Sequence, residues 1–170
     1  MRLFSGKIPV IAQEVVKTLT ESKDIESDAP EEVQADLESV LKEYLRQERK
    51  VSDEAKNRME IRGLSYGELG KMKGQVARDL KVPTGEDALP YLLDQILEML
   101  FHSSHVEEVF AEDNVLRKKV TAILRRHMEV EQELDREVRS KIKNLDEGTA
   151  SFETEYARVM DQLKRNKRLT

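Results

Sequence analysis

Apolar residues recur every three or four positions along nearly the whole chain, the spacing that lines one face of an α-helix. Ile8, Ile11, Val15, Val16 and Leu19 form the first such stripe. Gly6 can cap it, and Pro9 lies in its first turn, where a missing N–H costs little. Turn-forming residues follow in ESKDIESDAP. A longer stripe then begins: Val33, Leu37, Val40, Leu41, Tyr44, Leu45, Val51, Ala55 and Met59. Asp28 and Glu31 have capping-box spacing at its start, and Gly63 is a natural stop. Ser65 and Glu68 repeat that spacing before a third helix, which runs to about Lys81 and is weakened by Gly67, Gly70 and Gly74.

The turn Val82-Pro83-Thr84-Gly85 divides the chain, and the pattern restarts after it. Asp87 caps a fourth helix, with Pro90 in its first turn and an end near His102. After a linker, one long helix is expected to carry Leu116, Val120, Ile123, Leu124, His127, Val130, Leu134, Val138, Ile142 and Leu145, with Gly148 as its stop. A last helix carries Phe152, Tyr156, Val159, Met160 and Leu163.

The two halves match each other. IPVIAQEVVKTLTESKDIE, from Ile8, aligns with LPYLLDQILEMLFHSSHVE, from Leu89. Pro9 falls on Pro90, Leu19 on Leu100, Ser22 on Ser103 and Glu26 on Glu107. Two extra residues after the first helix of the later half bring the rest into line: Val33 meets Leu116, Tyr44 meets His127, Glu48 meets Glu131 and Leu80 meets Leu163. Chance agreement between amphipathic helices is the plainer alternative. The expectation is an all-α protein of two tandem three-helix units from an internal duplication, spanning residues 1–82 and 86–170 and forming separate units or one continuous fold. A helix of about 30 residues is roughly 45 Å long. That length favours an elongated bundle, or a homodimer that completes one, over a compact globule.

Composition narrows the chemistry. The chain has 170 residues, 37% of them charged, and a net charge of −5. With no cysteine, disulfides, thiolate metal sites and Cys nucleophiles are excluded. No run approaches the ~20 apolar residues of a membrane span, and no signal peptide is evident, so a cytoplasmic protein without membrane contact is expected. Charge is segregated. Between Val82 and Leu116 there is no Lys or Arg, yet the stretch holds Glu86, Asp87, Asp94, Glu98, Glu107, Glu108, Glu112 and Asp113. Arg117, Lys118, Lys119, Arg125 and Arg126 follow without an acid among them.

Three stretches carry a resemblance to a known family: MRLFSGKIPVIA at the start, QILEMLFHSSHVEEVFAED at the centre and RSKIKNLDEGT near the end. The chain resembles the bacterial family catalogued as domain of unknown function 507. The resemblance implies a small, cytosolic, all-helical bacterial protein with no assigned reaction and no catalytic residues to carry over.

Three candidate sites emerge. The first is the acidic segment around Phe110, where an exposed aromatic ring rimmed by Glu107, Glu108, Glu112 and Asp113 would suit a basic protein partner. The bland alternative makes Phe110 part of the core between the halves. The second is nucleic-acid or ribosome association through Arg117, Lys118, Lys119, Arg125, Arg126 and the tail residues Lys164, Arg165, Lys167 and Arg168. Solvated faces, or pairing with the protein's own acids, are the ordinary reading there. The third is a metal-dependent activity at His102 and His105, which lie beside carboxylates but lack a standard zinc spacing. His127 and Glu131, four apart, are expected to form a structural hydrogen bond. No cofactor is expected, and the leading expectation is a non-enzymatic interaction protein.

Overall fold

Seven α-helices and one two-stranded ribbon make up the computed structural model, which describes all 170 residues. The order is α1 (Ile8–Glu21), β1 (Ile25–Glu26), α2 (Pro30–Arg62), α3 (Leu69–Leu80), α4 (Ala88–His102), β2 (Glu108–Val109), α5 (Asp113–Met128), α6 (Glu131–Lys141) and α7 (Ala150–Asn166). No helix is long and apolar enough to cross a membrane.

The stripes find three destinations. Helix α1 packs on α2 and α5, and α4 packs on α2 and α5, so four helices enclose one core. Leu19, Leu41, Leu92 and Leu124 are wholly removed from water there. Burying each such side chain contributes about 1.5–3 kcal/mol before entropy is counted. This core takes residues from both sides of the Pro83 turn. The distal half of α2 and helix α3 close a smaller core of Val51, Ala55, Met59, Met72, Val76 and Ala77. Helices α6 and α7 close a third, in which Phe4 joins Leu134, Val138, Phe152, Val159 and Leu163. At 1.5 Å per residue, the 33-residue α2 is about 50 Å long and serves two of these cores.

The chain's opening residues tie the pieces together. Leu3 belongs to the four-helix core and Phe4 to the α6–α7 core. Gly6 does not act as a helix cap. Its N–H donates to the Leu169 carbonyl at 2.7 Å, and a Cβ at this position would lie 2.2 Å from the Arg168 carbonyl oxygen. The glycine is there to let two backbones touch.

The expected single helix from Leu116 to Leu145 is two helices. It breaks at Glu129–Val130, although no Pro or Gly is present. The break has a partner from elsewhere in the chain: the Met128 carbonyl accepts from the Arg2 N–H at 3.1 Å. The Met1 amino group lies 3.6 Å from Glu131. The expected linker before it is also partly ordered, as strand β2.

The capping boxes do not form either. Ala29, not Asp28, stands at the α2 N-cap, and neither it, Ser65 nor Asp87 caps through a side chain. Ser27 Oγ instead takes the Ala29 N–H at 3.0 Å. Thr149 is the one helix cap whose side chain accepts a backbone N–H, from Phe152 at 3.1 Å. Gly63 ends α2 with φ +64°, as expected.

Candidate functional site

The site begins with the segment that follows α4. Strands β1 and β2 pair antiparallel, Ile25 opposite Val109 and Glu26 opposite Glu108. Around this short ladder, the Glu107 N–H donates to the Glu26 carbonyl at 2.9 Å, and the Phe110 and Ala111 N–H groups both donate to the Asp24 carbonyl. Side chains alternate across an extended strand. Val109 and Ala111 accordingly pack on the four-helix core, while Phe110 points out and is 61% exposed. The core alternative for Phe110 is thereby removed.

Carboxylates crowd the same ribbon. Glu26 and Glu108 stand directly opposite each other, an arrangement that costs stability between like charges. Glu107 accepts the Asp28 backbone N–H at 3.2 Å. The Asp28 side chain beside it, and then partial desolvation, push the Glu107 carboxyl above its ordinary value. Glu26, Asp28, Glu107, Glu108 and Glu112 are all exposed, and none lies within 4.0 Å of a basic group. Asp113 differs: Arg117 Nε donates to it at 2.5 Å.

The ribbon's footing is a buried charge. Asp24 is 8% exposed, and its carboxylate accepts from Lys119 Nζ and from Ser22 Oγ, each at 2.5 Å. Burial pushes the Asp24 pKa up, but the Lys119 and Ser22 hydrogen bonds outweigh it and hold the carboxyl below its usual range. Lys119 thus works inside the fold rather than at a nucleic-acid face.

His105 also has a structural task. Its Nδ1 lies 2.9 Å from Asp36 Oδ2, and Ser103 Oγ donates to the same oxygen at 2.8 Å. Ser27 Oγ donates to the His105 carbonyl. These bonds pin the loop after α4 onto α2. His102 is exposed at the end of α4. No three His, Asp or Glu side chains are gathered in a way that would hold a metal ion.

Most of the expected basic surface is internally paired. Arg117 reaches Asp94 at 2.7 Å as well as Asp113, Arg125 reaches Glu129 at 3.5 Å, and Arg126 reaches Glu14 at 2.6 Å. Arg165 pairs with Asp161 at 2.6 Å and Lys167 with Glu137 at 3.0 Å. Lys118, Lys164 and Arg168 have no acid within that reach. His127 bonds Glu14 on α1 at 2.6 Å, not Glu131. The helix break turns Glu131 towards the Met1 amino group, and the packing of α1 on α5 supplies a closer carboxylate.

Sequence reasoning missed the first half's share of this site: Asp24, Glu26, Ser27, Asp28 and Asp36. The signal was the match between the two halves of the sequence. ESKDIESD and HSSHVEEVF occupy matching places in the two halves, and the structure brings them side by side.

A search of curated proteins finds no match. A family model described as "Protein of unknown function (DUF507)" matches residues 1–169. That span covers the ribbon, all seven helices and the paired ends, so the chain belongs to the DUF507 family of proteins of unknown function.

Proposed function

We propose that this protein is a non-enzymatic, cytoplasmic interaction protein that offers the acidic ribbon and Phe110 to a basic protein partner. One observation carries the reading. An aromatic side chain 61% exposed is held out from a hydrogen-bonded ribbon, amid five carboxylates that no basic side chain of the chain neutralises. Exposed aromatic anchors ringed by charge are where binding energy concentrates in protein interfaces, and unopposed charge speeds encounter with an oppositely charged surface. The internal pairing of Arg117, Lys119, Arg125 and Arg126 weighs against a phosphate-tracking α5.

Affinity capture from a lysate of the source organism at low and high salt tests this. A basic protein should be retained at low salt, weakened by the E107K/E108K pair and lost with Phe110→Ala. Phe110→Ala should leave helicity and melting temperature nearly unchanged, since substitutions at exposed sites shift stability by about 0.5 kcal/mol or less. If the same proteins are captured by the wild type and both variants, the reading fails.

A further inference from the structure

A cleft of about 460 Å³ lies between the opening residues, α6 and α7, on a part of the molecule that the ribbon does not use. Arg2, Arg136 and Lys164 line it, with Phe4, Tyr156 and Met160. None of these three cations has an acid within 4.0 Å, although most basic residues of α5 do. The two carboxylates on the wall are already engaged. Asp135 accepts from Tyr156 Oη at 2.5 Å and from Arg139 Nε at 3.0 Å, and Glu131 faces the Met1 amino group.

Two of the cations share one aromatic ring. Arg2 and Lys164 both lie over the Phe4 ring, 5.5 and 5.6 Å from its centre. Burial first, and then the Arg2 charge, lower the Lys164 pKa. Glu48 lines the recess on the other side of Arg2 and Lys164, and burial lifts its carboxyl against the pull of Arg2. The cleft therefore presents three cations that make no direct ion pair, on a concave, partly aromatic wall that also carries Glu131 and Asp135. Two guanidinium groups and one ammonium match an anion with several oxygens better than a single carboxylate.

We propose that this cleft binds a phosphate-bearing small molecule, with Arg2, Arg136 and Lys164 engaging its phosphoryl oxygens and Tyr156 and Met160 flanking its remainder. The volume of about 460 Å³ suits a ligand of cofactor size. This site is independent of the ribbon, and either can fail alone.

Calorimetric titration of the full chain with inorganic pyrophosphate, at constant total ionic strength, reads it directly. One site should be seen, weakened about tenfold or more by Arg136→Ala and by Lys164→Met. Arg136 is exposed and Lys164→Met keeps the apolar stem over Phe4, so both variants should melt as the wild type does. Lys17→Ala, an exposed change on α1, should bind unchanged. Absence of a binding heat at millimolar pyrophosphate, or binding that persists in the R136A/K164M double variant, overturns the proposal. So does an RNA oligomer that displaces pyrophosphate at far lower concentration, because the cleft would then be part of a nucleic-acid surface.

Discussion

The Arg2 N–H donates to the Met128 carbonyl, far along the chain, at the point where α5 gives way to α6. Helix α5 leaves that carbonyl without its own N–H partner, and the opening segment supplies one. Arg2→Pro removes the donor while Arg2→Ala keeps it. The proline variant should be about 1 kcal/mol less stable than the alanine variant, read from urea midpoints at equal slope. Equal midpoints would mean that the break forms without help from residue 2.

Asp24 and Lys119 make the ribbon's buried ion pair. Lys119→Met should cost about 1–3 kcal/mol, because it strands a carboxylate that is only 8% exposed. The folded-state Asp24 pKa is below its unfolded value. Its contribution is therefore present above the unfolded value, near pH 4, and is lost as pH falls through the lower folded value. Melting followed from pH 6 down to pH 2.5 should show a steeper acid loss in the wild type than in Lys119→Met.

The His105–Asp36 clip has two edges in pH. The Asp36 hydrogen bond raises the His105 pKa, and the His105 hydrogen bond lowers that of Asp36. The histidine's share is fully present below about pH 6.5 and fades as pH rises through its raised folded value. The aspartate's share is present above about pH 4 and fades as pH falls below that. The clip is strongest between. An NMR titration of the His105 ring should give a lower pKa in Asp36→Asn than in the wild type. An unchanged value would show that the pair is not formed in solution.

Two glycines should respond to alanine with opposite sign. At Gly6 the new methyl meets the Arg168 and Leu169 backbone, which cannot swing away, so Gly6→Ala should destabilise by about 1–3 kcal/mol. At Gly70, inside α3, nothing lies within 4 Å of the added carbon. Gly70→Ala should stabilise by about 0.5–1 kcal/mol. Thermal melts of the two variants beside the wild type decide both.

The helices and most of the core were legible in the sequence, because a 3.6-residue period is a local signal that packing then reinforces. Val33, Leu37 and Leu41 sit where their spacing puts them, as do Leu116, Val120 and Leu124. The features that escaped depend on distant partners. Nothing near Glu129 announces a break, and the group that meets the freed Met128 carbonyl there is Arg2, distant in sequence. Two-residue strands carry no period, so the β1–β2 ribbon is invisible until residues 25 and 109 meet. Side-chain caps do not form at Asp28 and Ser65, and His127 meets Glu14 rather than Glu131 because the packing of α1 on α5 brings that carboxylate to it. The family resemblance seen in the sequence holds over residues 1–169. For Phe110 the sequence left two readings open, and the alternation of Val109, Phe110 and Ala111 decides between them.

Helix α2 belongs to two cores, with the half-buried Glu48 between them. Val33 to Tyr44 are committed to the four-helix core, and Val51 to Met59 to the hairpin with α3. The hairpin's few apolar contacts are nearly all its own, which makes it a separate cooperative unit at the low end of the stability range. Its ties to the four-helix core are Val82, which packs on both cores, and the Tyr44 hydroxyl bonded to the Pro83 carbonyl at 2.9 Å. Mechanically, α2 is a shaft seated in the large core at one end, with a smaller load carried at the other.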